Sequence, residues 1–196
     1  MPNDLTPAVA GDATQALTCA LIARPSVTPQ DAGCLELIAE RLSQIGFSCE
    51  RIDRGGVSNL WARRGTAAPL FCFAGHTDVV PTGPREKWQS DPFIPEVRDG
   101  LLYGRGAVDM KDMDAMMLAV ARSFGRSGFV PPRDLVLAFL ADEEDTGAYG
   151  AGFLVREVAD RLLDRLDDIR RPFGRALVLG EDDWYGEKAP SIWAGN

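Results

Sequence analysis

Residues 71–109 read FCFAGHTDVVPTGPREKWQSDPFIPEVRDGLLYGRGAVD, and both the fold and the chemistry of the chain turn on them. The stretch grows out of an apolar run, Leu70–Ala74, of the kind carried by a strand buried on both faces of a parallel sheet. It passes at once into Gly75-His76-Thr77-Asp78, which holds the only histidine of the 196 residues. Four prolines lie between Pro81 and Pro95 with little periodicity, so this segment is expected to be a long ordered loop, a type that often carries function. The turn Tyr103-Gly104-Arg105-Gly106 then leads to Asp109, 33 positions beyond His76 (76 to 109).

Working outward, the flanks alternate between strand and helix signals. The first dozen residues are small and polar and read as a frayed lead-in, followed by a short helix through Leu17, Ala20, Leu21 and Ala23 that Arg24-Pro25 ends. Thr28-Pro29-Gln30-Asp31 reads as a helix start, with a capping hydroxyl, proline at the first position and an acid in the first turn. Leu35, Ile38, Leu42 and Ile45 recur at helical spacing, and Gly46 is the stop. Phe47–Ile52 and Asn59–Ala62 suggest two strands around the turn at Arg54-Gly55-Gly56.

Beyond Asp109, Met113, Met116, Met117, Val120, Ala121 and Phe124 line one helix face, and the methionines are read as core filler. Leu135–Ala141 (LVLAFLA) is a second buried strand, ending at Asp142-Glu143-Glu144. Val155, Val158, Leu162, Leu166 and Ile169 mark a further helix, and Arg175–Leu179 a third buried strand that ends in Gly180-Glu181. The pattern predicts one α/β domain, a mostly parallel sheet with helices on both faces. In such sheets ligands collect beyond the carboxyl ends of the strands.

Bulk properties exclude some functions. A net charge of −8 is the wrong sign for nucleic acid, whose phosphates demand a basic face. No apolar run approaches the ~20 residues of a membrane span, and MPNDLTPAVAGDATQ lacks the basic start and apolar core of a signal peptide. Cys19, Cys34, Cys49 and Cys72 form no Cys-x-x-Cys pair, and Cys34 and Cys72 fall in apolar segments as buried free thiols. A reduced, cytoplasmic chain is the expectation.

The strand ends carry the chemistry: His76 and Asp78, then Glu143 and Glu144, then Glu181, with Asp109 opening the helix between the first two. Each feature alone has a bland reading, a structural histidine or a solvated acidic turn. Brought together, carboxylates at buried strand ends need cations. Arg105 and Lys111 are the few basic residues near them, so a divalent metal is the economical answer. One histidine with aspartate and glutamate suits zinc, with manganese or cobalt possible. Asp78, two residues from His76 on an extended chain, is placed to orient the imidazole. Of Glu143 and Glu144, one can bind metal while the other serves as a general base.

The ordered string Gly75-His76-Thr77-Asp78-Val79-Val80-Pro81, Trp88, Pro92-Phe93, Asp99-Gly100, Tyr103-Gly104-Arg105-Gly106-Ala107 and Asp109-Met110-Lys111 resembles the co-catalytic zinc amidohydrolases, which include desuccinylases, aminoacylases, carboxypeptidases and dipeptidases. Phe73–Pro84 and the loop to Arg105 are most similar to the succinyl-diaminopimelate desuccinylases of lysine and diaminopimelate biosynthesis. Val108–Met117 and Leu140–Gly150 look more like the dipeptidase members. The resemblance implies a zinc aminopeptidase-like catalytic domain and hydrolysis of a small N-acyl amino acid or peptide. It implies two zinc ions: His76 on the first, Asp109 bridging both, Glu144 on the second and Glu181 completing the first. It further implies Glu143 as general base, Asp78 as the residue that holds His76, and a cis peptide at Asp109-Met110.

The sequence departs from the family in two ways. Family chains are much longer, with an inserted lid and dimerisation domain and a further histidine ligand, and they pair as homodimers. Residues 1–196 are therefore expected to form a single, incomplete catalytic domain without that lid. The alternative to a competent hydrolase is a metal-binding piece without turnover.

Overall fold

The computed structural model describes residues 7–65, 70–127, 134–150 and 152. In chain order the elements are α1 (Pro7–Ile22), α2 (Cys34–Ser43), β1 (Ser48–Arg51), β2 (Leu60–Arg64), β3 (Leu70–His76), β4 (Glu96–Arg98), β5 (Leu101–Tyr103), α3 (Lys111–Ser127) and β6 (Asp134–Leu140). Four strands form one sheet in the order β1-β2-β6-β3, and β4-β5 make a separate hairpin.

The α/β class holds, and the sheet is mixed rather than mostly parallel among the described residues. β1 pairs with β2, and β2 with β6, in antiparallel fashion; β3 and β6 run parallel. Apolar runs report burial but not the direction of the partner strand, which is why the expectation of a mostly parallel sheet fails for β1 and β2. β6 is paired on both edges and all seven of its residues are buried. β3 is paired on one edge within the described residues, and Phe71 and Phe73 are 57% and 48% exposed, so the expectation of a strand buried on both faces is not met there.

Side chains alternate across the sheet. Leu60, Ala62, Leu135, Leu137 and Phe139 join the core formed with α1, α2 and α3, while Trp61, Val136, Ala138 and Leu140 form a second cluster on the opposite side. All three described helices thus lie on one face. The helix and strand expected over residues 155–179 lie outside the described residues, as does Glu181. Leu35, Ile38 and Leu42 of α2 are fully buried, and each contributes about 1.5–3 kcal/mol by leaving water.

Local chemistry shifts two helix starts. α1 begins at Pro7, inside the stretch read as a lead-in. α2 begins at Cys34 rather than at Thr28, because the Asp31 side chain closes a turn ahead of the helix instead of sitting in its first turn. The Asp31 carboxylate accepts the N–H groups of Gly33 and Leu35 at 3.0 Å each. Such side-chain bonds to backbone compete with helix, and Gly33 takes the left-handed conformation (φ 84°) at the junction. At the other end Gly46 (φ 86°) stops α2 as expected, with Phe47 N–H donating to the Leu42 carbonyl at 3.1 Å.

Candidate metal centre

The parallel pairing of β3 with β6 places His76 opposite Leu140. The chain beyond each strand therefore emerges on the same side, and His76-Thr77-Asp78 meets Asp142-Glu143-Glu144 there. Thr77 N–H continues the ladder to the Leu140 carbonyl at 2.7 Å. Ser26 Oγ donates to the Thr77 carbonyl at 2.6 Å, and Val79 N–H to the Ser26 carbonyl at 2.9 Å, so the segment after β3 is fixed from both sides.

Asp78 is fully buried and joins the two strand ends. Its carboxylate accepts the N–H of Glu143 (Oδ1, 3.3 Å) and of Glu144 (Oδ2, 3.0 Å), and Oδ1 lies 3.5 Å from His76 Nδ1. Burial alone would raise its carboxyl, but the contact with His76 and these N–H groups more than offset it and hold the group below the ordinary value. The His76 Nδ1 also lies 3.1 Å from the Asp78 carbonyl. A neutral ring with its proton on Nδ1 satisfies that carbonyl and leaves the Nε2 lone pair free.

Nε2 faces the acids. Asp109 Oδ1 lies 3.2 Å away and Glu143 Oε2 3.7 Å away. Burial lowers the imidazole pKa, yet the hydrogen bonds the ring donates to Asp78 and the charges of Asp78 and Glu143 dominate and raise it to about 9. Glu144 is pushed up, first by burial and then by the charge of Asp109. One ligand atom each from His76, Asp109 and Glu144 lies within 4.8 Å of the other two. A borderline nitrogen and two carboxylates gathered at one point fit a divalent cation. The Asp109–Met110 peptide is cis, as the resemblance implies. Beside this group opens a pocket lined by Val80, Gly104–Asp109 and Glu144.

Of the residues singled out in the sequence, His76, Asp78, Asp109, Glu143 and Glu144 come together, and Glu181 lies outside the described residues. Lys111 proves not to be a counter-ion for the acids. It is fully buried, and its Nζ donates to the carbonyls of Leu21 and Arg24 at 2.8 Å each, closing the C-terminal end of α1. Asp142 was missed, although it heads the acidic run. Its Oδ2 accepts the N–H groups of Tyr149 and Gly150 at 2.9 and 3.0 Å, folding the segment that carries Glu143 and Glu144.

A model described as "Peptidase family M20/M25/M40" matches residues 72–192. The chain belongs to this family. Among curated M20 relatives, the succinyl-diaminopimelate desuccinylase of Azoarcus sp. is 56% identical over 154 residues, covering 79% of this chain and 40% of the relative. That of Bordetella avium is 59% identical over 127 residues, covering 65% and 33%. The M20 chain described here therefore spans about two fifths or less of the relatives it matches. Human carnosine dipeptidase 1 shares the fold at a TM-score of 0.70 and 22% identity, covering 81% of this chain and 37% of that one. An M20 metallo-carboxypeptidase from Sulfolobus solfataricus does so at 0.67 and 18%, covering 76% and 35%.

Proposed function

We propose that this chain is the metal-binding part of a zinc-dependent amide hydrolase whose substrate is N-succinyl-LL-diaminopimelate. The observation that carries the reading is the convergence of His76 Nε2, Asp109 and Glu144 within 4.8 Å, beside Glu143. The 56% identity to a desuccinylase supports the choice of substrate. On this reading His76, Asp109 and Glu144 would hold the metal, Asp109 would serve two ions and Glu181 would complete the ligand set of the first. Zinc, when bound, supplies Lewis acidity toward the amide carbonyl and the attacking water.

The chain's own residues do the rest. Asp78 holds His76 with Nε2 toward the acids and, through the N–H groups of Glu143 and Glu144, fixes the acidic segment against β3. Glu143, half-exposed at the rim, takes the proton of the attacking water and returns it to the leaving amine. Four free cysteines among the described residues agree with a reducing, cytoplasmic setting. No helix of the described residues is long and apolar enough to cross a membrane.

A second reading, metal binding without turnover, is favoured by the ligand count, since the described residues supply one three-ligand group. Zinc titration and amide hydrolysis assays on the 196-residue chain and its Glu143→Gln variant decide between them. Hydrolysis lost in E143Q with zinc binding kept supports the hydrolase. Zinc binding with no turnover in the parent chain supports the second reading. Zinc affinity unchanged in His76→Ala would overturn both.

A further inference from the structure

The turn that leads into Asp109 can present one large side chain. A Cβ on Gly104 would lie 2.6 Å from Ile22 Cγ2, and one on Gly106 would lie 2.9 Å from Val79 Cγ1 in a backbone at φ 83°. Neither position tolerates a substituent, so Arg105 is what the turn offers. Its own N–H is tied to the Pro92 carbonyl at 2.7 Å. Its guanidinium lies 5.1 Å from the Trp88 ring centroid, and Nη2 donates to the Pro81 carbonyl at 3.3 Å. Trp88 is itself held by Nε1 donating to the Thr82 carbonyl at 2.8 Å. The bond to Pro81 is the one side-chain hydrogen bond of the guanidinium among the described residues; Nε is buried without a partner, and no carboxylate of the described residues pairs with the group.

Arg105 lines the same pocket as Asp109 and Glu144, and it is the sole cation among the described residues that line it. We infer that Arg105 is the carboxylate anchor of this pocket, binding an anionic group of the substrate away from the amide. The inference rests on the amide-hydrolase reading and deepens it by naming a specificity-determining residue. A rigid guanidinium matches a carboxylate through two parallel N–H donors, which a lysine cannot reproduce. The carboxylate can belong to the acyl side of the amide or to the amine side, and both present the same chemistry to Arg105.

The test is calorimetric titration of the 196-residue chain in the presence of zinc with three probes. Succinamate carries an acyl-side carboxylate, N-acetyl-L-alanine an amine-side carboxylate, and N-acetyl-L-alanine amide none. At least one carboxylate should bind more tightly than the neutral amide, and whichever does names the side. Arg105→Met should weaken that probe about tenfold and leave the neutral amide unchanged, as expected for a lost hydrogen bond to a charged group. Arg105→Lys should fall between, keeping the charge and losing the fork. Equal carboxylate affinity in a folded R105M, or no preference for carboxylates in the parent chain, overturns the assignment. If R105M does not fold, full carboxylate affinity in R105K overturns it instead. Failure of the hydrolase reading shows elsewhere, in zinc binding that H76A does not change or hydrolysis that E143Q does not change.

Discussion

Asp78 Oδ2 accepts the backbone N–H of Glu144 at 3.0 Å, a bond that closes 66 residues of chain and seats the acidic segment against the end of β3. Oδ1 of the same buried carboxylate accepts from Glu143 at 3.3 Å and faces His76 Nδ1 at 3.5 Å. Asp78 thus holds two of the three members of the metal group, His76 and Glu144, at once. Asp78→Ala should lower stability by about 2–3 kcal/mol, because it leaves buried N–H groups unmet. It should also weaken zinc binding by about 10- to 100-fold, the usual effect of removing a residue that orients a ligand. Urea unfolding and a competitive zinc titration measure the two effects. A D78A chain with parental zinc affinity would show that His76 and Glu144 hold their places without it.

The legibility of this site in the sequence was uneven for physical reasons. His76 and Asp78 stand out because Gly-His-Thr-Asp follows an apolar strand, and Glu143-Glu144 because they follow another. Strand ends on one side of a sheet converge whatever the details, so the pattern suffices. The direction of β2 relative to β6 was not legible, since burial is the same in either orientation. Asp31 and Asp142 were not legible as turn-formers, because a carboxylate accepting nearby N–H groups carries no periodic signature. The place of Lys111 was not legible for a related reason. A cation two residues from an aspartate looks like its partner, while the helix geometry sends Nζ to α1 instead.

Asp114 gives a pH-dependent prediction. It is fully buried in the first turn of α3, and neither carboxylate oxygen has a hydrogen-bond partner among the described residues. Burial raises its carboxyl well above the ordinary value of 3.8, against the opposing charges of His76 and Lys111. The unfolded chain releases this proton near 3.8 while the folded chain keeps it to higher pH. Between those two points the folded state binds more protons, so stability contributed here is lost as pH rises. Asp114→Asn should flatten that loss and make the metal-free chain more stable by about 1–3 kcal/mol well above the window. Parallel unfolding profiles for the two chains from about pH 4 to about pH 8 would remove the argument.

Lys111 makes a complementary case. Burial lowers its pKa, and its two 2.8 Å bonds add a second donor to the Leu21 and Arg24 carbonyls, which already accept from Arg24 N–H and Ser26 N–H. Lys111→Met keeps the stem and removes the donors. We expect a loss of about 1–3 kcal/mol, moderated by relief of a desolvated charge. Amide hydrogen exchange should localise the change to the C-terminal turn of α1 and the Ala23–Ser26 segment. Faster exchange spread evenly through α3 would instead mean that Lys111 matters mainly for its own helix.

Gly106 tests whether the turn before Asp109 is fixed by packing or only by backbone conformation. Its φ of 83° is in the left-handed region, and an added Cβ would meet Val79 Cγ1 at 2.9 Å and Lys111 Cδ at 3.0 Å. Gly56 has nearly the same φ, 85°, with nothing within 4 Å. Alanine at Gly56 should therefore cost only the conformational strain, about 1 kcal/mol. Alanine at Gly106 should cost about 1–3 kcal/mol more, the usual range for crowding a packed site. The difference between the two variants in urea midpoint isolates the packing contribution, since strain is common to both. Because Gly106 lies three residues before Asp109, G106A should also weaken zinc binding and G56A should not. Equal destabilisation with equal zinc affinity in the two variants would mean that the turn yields freely, and that Asp109 is positioned by α3 alone.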